Sequence, residues 1–142
     1  MVEQPLVEIS GAGPAGLAAA LAVIRAGGQA RVYERRADVG LRFHGDFQGL
    51  ENWTTEWDVL EELDALGISP DFKYTPFSEV VCFGPGGIER RVRSRKPIFY
   101  LVRRGDEAGT IDHSLKQQAL TAGAEIRFEA PLRTLPHGGV VT

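Results

Sequence analysis

Three glycines spaced as Gly11-x-Gly13-x-x-Gly16 follow a short apolar run and open a helical stripe. Residues of this type in this order make a phosphate cradle. Gly11 lets the chain turn tightly off a strand, and Gly13 lacks the Cβ that would hold a pyrophosphate at a distance. Gly16 permits helix and strand to pack closely, with Pro14 and Ala15 completing the turn. The helix that begins here aims free N–H groups and a partial positive charge of about half an elementary unit at the phosphates. Glu34 stands where a second strand ends, some 20 residues on, as the motif requires. Its carboxylate suits the two ribose hydroxyls of an adenosine. The acid disfavours a 2′-phosphate, hence NADP, and leaves NAD and FAD both open.

Other reactive side chains carry weaker signals. Arg42 lies in the stretch after Glu34 and is within reach of cofactor phosphates; its alternative is an ordinary surface arginine. Trp53 is read as a core anchor, with packing on a cofactor ring as the second reading. Arg90, Arg91, Arg93 and Arg95 are read as a solvated strand face, whereas Arg103 and Arg104 keep open the recognition of an anion. Cys82 sits in the apolar run EVVCF and is expected to be a buried, inert thiol. His44, His113 and His137 show no metal-ligand spacing and no Ser/His/Asp arrangement.

These residues need elements to hold them. Leu6, Val7 and Ile9 have the character of a buried parallel strand. Leu17, Leu21 and Ile24 recur at helical spacing until Gly27-Gly28 ends the helix, and Val32-Tyr33 belong to the second strand. Arg35 to Trp53 has no period and reads either as a surface loop with two or three anchoring aromatics or as a long functional loop. Thr55 to Asp58 fits a capping box opening a helix striped by Val59, Leu60, Leu63 and Leu66. EVVCF and IERRVRSR flank a Gly84–Gly87 turn, and PIFYLV follows, which together predict an antiparallel meander. A helix capped by Thr110 or Asp112 and stopped by Gly123 leads to AEIRFE, the expected third parallel strand beside the second. Leu132 to Thr142 reads as a short hairpin turning at His137-Gly138-Gly139.

The fold class expected is therefore α/β: a Rossmann-like FAD/NAD(P)-binding domain, a parallel sheet with helices, carrying an inserted antiparallel meander. Residues 1–76 and 107–142 are assigned to the nucleotide-binding part and 77–106 to the insertion. At 142 residues and 43% hydrophobic the chain suits one domain with a core, and a net charge of −3 gives no reason to expect nucleic acid or anionic membrane as partner. The single cysteine excludes an internal disulfide and points to a reducing, cytoplasmic location. No stretch has the roughly 20 apolar residues of a spanning helix.

With these motifs in place, the chain resembles the N-terminal portion of the geranylgeranyl reductase family and the wider para-hydroxybenzoate hydroxylase class of FAD-dependent oxidoreductases. Gly11 to Gly16, Glu34-Arg35, RFHGDFQGLENW from Arg42, FYLVRRG from Phe99 and Asp112-xx-Leu115 leading to Gly123-Ala124-Glu125 carry the resemblance. It implies FAD, with Gly11, Gly13, Pro14, Ala15 and Gly16 at the pyrophosphate and Glu34 and Arg35 at the end of the second strand. It also implies Arg42 near the cofactor and backbone at Leu132 against adenine. NADH or NADPH is the implied electron donor, and a small organic molecule the substrate, reduced or monooxygenated. Prenyl-reductase relatives often carry an arginine three residues before Asp112, where this chain has Gly109. In such flavoproteins an ATG-like segment and, much later, the GD motif that holds the ribityl chain follow the third strand, past Thr142 here, so the resemblance implies an incomplete fold, inactive alone. The competing functions are a non-catalytic dinucleotide-binding module and an NAD-linked dehydrogenase; the inserted strands favour FAD over the latter.

Overall fold

The computed structural model describes residues 4–132. In chain order its elements are β1 (Leu6–Ser10), α1 (Pro14–Arg25), β2 (Gln29–Tyr33), β3 (Phe47–Glu51), α2 (Val59–Ala65), β4 (Tyr74–Phe77), β5 (Glu79–Phe83), β6 (Glu89–Arg93), β7 (Phe99–Arg103), α3 (Ile111–Ala122) and β8 (Glu125–Arg127). The hairpin expected over Leu132 to Thr142 lies, apart from Leu132, outside the described residues.

β1, β2 and β8 form a parallel sheet in the order β1-β2-β8, with Ile9 opposite Val32 and Val32 opposite Ile126. Side chains alternate across a sheet, so Ile9, Ala30, Val32 and Ile126 all point to one face, where they join the core. Leu17, Ala20 and Leu21 of α1 and Ile111, Leu115 and Ala119 of α3 close that core from the helical side. α3 is capped by Thr110, whose hydroxyl accepts from the His113 N–H at 3.2 Å, and ends at Gly123 in the left-handed region (φ +100°). Asp112 is thus not the cap.

The other face of the sheet is charged. Arg31 lies between Glu125 (Nε–Oε2 2.6 Å) and Glu8 (Nη1–Oε1 3.7 Å). Arg127 pairs with Glu125 at 2.6 Å, and the Tyr33 hydroxyl donates to Glu8 at 2.6 Å. Parallel strands are commonly apolar on both faces; here the second face is a cross-strand ladder of opposite charges, which water tolerates.

The antiparallel strands depart from the expected meander. β7 is the centre of a separate sheet, ordered β3-β7-β4, with Phe47 opposite Arg103 and Tyr74 opposite Val102. Among the described residues β5 and β6 pair only with each other, across a turn in which Gly86 and Gly87 take φ +79° and +75°. β7 buries Tyr100 and Val102 in alternation, and Phe77 and Tyr74 meet Phe99 and Tyr100 in aromatic pairs at 5.1 and 5.4 Å. Those contacts select β4 as neighbour rather than β6, whose Arg91 and Arg93 both pair with Glu79.

Three further expectations are corrected. β3 occupies part of the stretch read as structureless. Cys82 is exposed, because among the described residues no layer covers the two-stranded hairpin that carries it. Trp53 is 58% exposed and not a core anchor.

α2 is capped by Asp58, not Thr55. One Asp58 oxygen accepts from the Leu60 N–H at 2.9 Å and the other from the Tyr100 hydroxyl at 2.6 Å and Asn52 Nδ2 at 3.1 Å. Asn52 Oδ1 accepts in turn from the Val59 N–H at 2.7 Å. Thr55 bonds Glu62 at 2.8 Å instead. This network fastens α2 to β7. Burial pushes the Tyr100 hydroxyl up to about 12, helped by its bond to Asp58. Partial burial works to raise the Asp58 carboxyl, but donors from Tyr100, Leu60 and Asn52 and the charge of Lys96 outweigh it, so it titrates below its ordinary value.

A carboxyl depressed in the fold contributes stability above its unfolded value, about 3.9, and loses it as pH falls through the depressed one. Asp58→Asn is therefore expected to be less stable than wild type at pH 7, with the gap closing as the pH is lowered into that window. Denaturant melts across the acid range check this; a gap independent of pH would contradict it.

Candidate functional site

The glycine turn joins β1 to α1 at the C-terminal edge of the parallel sheet. Gly11 adopts φ +90° and its N–H donates to the Tyr33 carbonyl at 2.7 Å, binding the turn to the end of β2. Gly13 caps α1 in an extended conformation, and Pro14 takes the first helical position, where no N–H is needed. The glycines have different reasons to be glycine. A Cβ on Gly16 would stand 2.0 Å from the Gly11 carbonyl oxygen, whereas a Cβ on Gly13 would meet no protein atom within 4 Å. Gly16 is required by packing; Gly13 faces open space at a helix N-terminus, which is where an anion is favoured.

Glu34 follows β2 directly. Its Oε2 accepts from the Ala12 N–H at 2.9 Å and its Oε1 from the Arg36 N–H at 2.9 Å. The carboxylate is thus fixed beside the turn, each oxygen holding one backbone donor and keeping acceptor capacity for another.

Three clefts surround this point. The first, of about 310 Å³, is lined by Gly13, Glu34, Arg35, Arg42, Arg104 and Asp112 among others. The second, of about 230 Å³, has Gly11, Tyr33, Glu34, Arg35, Pro131 and Leu132 in its wall. The third, of about 280 Å³, lies between Pro14 and Ala15 of α1 and Gln48, Gly49 and Val102 of the antiparallel sheet, with Arg104 at its edge. Glu34 and Arg35 are shared by the first two and Arg104 by the first and third. Of the residues assigned to the cofactor, Gly11, Gly13, Pro14, Ala15, Glu34, Arg35, Arg42 and Leu132 lie in cleft walls, and Gly16 sits behind the turn.

Arg42 reaches its cleft because the loop after β2 is pinned at several points. Val39 is buried in the core, Asp38 pairs with Lys116 of α3 at 2.7 Å, and Gly40 lies against Gly105. A Cβ on Gly40 would come within 2.4 Å of the Gly105 carbonyl carbon. The stretch that looked structureless is therefore anchored to α3 and to the end of β7.

Arg104 and Asp112 are the residues that sequence reasoning undervalued. Arg103 and Arg104 are alike in the sequence, yet Arg103 is 43% exposed and pairs with Glu107, while the Arg104 side chain is only 11% exposed. Its Nε and Nη2 donate to the two oxygens of Asp112 at 2.7 and 2.8 Å, and the Gly105 N–H adds a third bond at 3.1 Å. Nη1 donates to Gln48, and the Phe43 ring lies 4.1 Å from the guanidinium carbon. Asp112 is 1% exposed, so losing either partner of the pair would strand a buried charge at a cost of about 3–5 kcal/mol. The Arg-Gly sequence and an aspartate in the first turn of a helix were the available signals.

The chain matches no family model and no curated protein. It does match solved structures. It is similar to 2-methyl-3-hydroxypyridine-5-carboxylic acid oxygenase with a TM-score of 0.69 at 22% identity, over 98% of this chain and 37% of that one. A geranylgeranyl bacteriochlorophyll reductase-like protein from Thermoplasma acidophilum gives 0.67 at 21% identity, over 93% and 32%. CtdE, solved in complex with FAD, gives 0.58 at 19% identity, over 93% and 32%. The chain shares the fold of the corresponding portion of each and spans about a third of their lengths.

The two glycines are separable without any ligand. Gly16→Ala is expected to cost about 3 kcal/mol or more, since a backbone oxygen cannot move aside as a side chain can. Gly13→Val is expected to cost no more than about 1 kcal/mol, the preference of an N-cap for glycine over an aliphatic residue. Chemical denaturation of both variants checks the contrast; equal losses would contradict it.

Proposed function

We propose that this chain is the FAD-binding part of an FAD-dependent oxidoreductase that reduces or monooxygenates a small organic substrate, with NADH or NADPH as electron donor. The observation that carries the reading is the open space in front of Gly13, flanked by the backbone-held Glu34 carboxylate and continuous with clefts on either side. The shared fold with a protein solved in complex with FAD supports it. The oxygenase and the reductase-like protein support the reaction class.

In this reading the domain is Rossmann-like, with the antiparallel strands on the substrate side. The Gly11–Gly16 turn and the N-terminus of α1 hold the pyrophosphate. Glu34 accepts from the ribose hydroxyls, and Leu132 and Pro131 flank the adenine. Arg35 and Arg42 supply positive charge along the first cleft. When bound, FAD supplies the redox chemistry, and the protein orients it and excludes water. The antiparallel insertion between the second and third parallel strands sets the chain apart from a dehydrogenase built of regular βα units. Among the described residues no helix is long and apolar enough to cross a membrane; a cytoplasmic location belongs to the proposal and rests on the single cysteine.

The full-length protein is expected to purify yellow, with a flavin absorbance spectrum and FAD released on denaturation. A protein that binds NAD and never flavin would overturn the cofactor assignment. A hydrogen bond to a charged group is worth roughly 1.5–3 kcal/mol, so Glu34→Ala is expected to weaken FAD about 10- to 150-fold by calorimetric titration. Affinity indistinguishable from wild type would remove Glu34 from the site.

A further inference from the structure

Arg104 is held from three sides and still faces the clefts. A guanidinium carries five N–H donors. Asp112 takes the one on Nε and one on Nη2, and Gln48 takes one on Nη1. One donor therefore remains on each terminal nitrogen. The Phe43 ring covers the guanidinium plane at 4.1 Å, and the side chain keeps 11% of its surface, lining the cleft in front of Gly13 and the one beside Pro14 and Ala15.

From this arrangement we infer that Arg104 donates its two remaining N–H groups to pyrophosphate oxygens of the bound dinucleotide, with Asp112 as the residue that positions it. The inference rests on the dinucleotide reading above. Two donors on adjacent terminal nitrogens match phosphate oxygens bidentately, which an ammonium cannot reproduce. Asp112 offsets the charge, so the contribution of Arg104 is directional hydrogen bonding more than net positive potential. The side chain is already ordered by Asp112, Gln48 and Phe43, so binding loses little of its freedom. The cleft thereby has two donor sets, the backbone of the glycine turn and a rigid side chain from the end of β7.

The test uses FAD, ADP and adenosine as ligands for wild type, Arg104→Lys and the double variant Arg104→Met/Asp112→Leu, which leaves no unpaired carboxylate behind. FAD and ADP are expected to weaken roughly ten- to hundredfold in both variants while adenosine stays within about twofold. Melting of the unliganded proteins is followed alongside. Unchanged FAD and ADP affinity, or equal weakening of all three ligands, would overturn the role of Arg104 and leave the cofactor reading standing. Wild-type protein that binds none of the three would overturn both. Independently of the variants, ADP added to wild type is expected to shift the Arg104 guanidinium resonances where adenosine does not, and the absence of that difference also overturns the assignment.

Discussion

A carboxylate with almost no contact with water organises this structure. Asp112 sits in the first turn of α3, where the helix dipole favours negative charge, and receives N–H groups from Arg104 and Gly105. Arg104 follows the last residue of β7 and Asp112 begins the helix that packs on the parallel sheet, so the pair ties the antiparallel sheet to the parallel layer. A buried ion pair has little net worth against an apolar replacement, but it fixes geometry because neither partner has an acceptable second place to go. The clefts around the glycine turn inherit that fixed wall.

The second constraint is steric. Gly40 and Gly105 touch backbone to backbone, and both take φ values that favour glycine, +64° and +136°. That crossing brings the loop after β2 down onto the end of β7, stacks Phe43 on Arg104 and carries Arg42 to the cleft. A loop without secondary structure is thus as well determined as a strand. Its ordering comes from Val39 in the core, Lys116 on Asp38 and the glycine contact, none of which has a local periodic signature.

What the sequence revealed follows the range of the forces involved. The β1-α1-β2 unit was legible because its apolar stripe and glycine turn are encoded within one short stretch, and Glu34 falls where that stretch ends. β3 was not, since its pairing is dictated by β7 some fifty residues away, and Gly49 breaks any alternation of its own. Asp58 displaced Thr55 as a cap because Tyr100 and Asn52, brought in by the tertiary fold, hold its carboxylate in place. The apolar run around Cys82 predicts burial, yet it lies on a hairpin that no other described element covers. Arg103 and Arg104 are neighbours of identical type, and only alternation across β7 and the position of α3 separate a surface ion pair from a buried one.

The charged face of the parallel sheet also bears on how the strands find their alignment during folding. Apolar alternation detects a slip of one residue, which would turn Arg31 and Glu125 into the core, but it is blind to a slip of two, which keeps every face. The ladder is not blind to it. In the observed register Arg31 stands opposite both Glu8 and Glu125; moving β8 by two residues would set Arg127 against Arg31 and bring like charges together. The polar face thus acts as an error check on strand registration, rejecting misaligned partners that the hydrophobic core alone would accept.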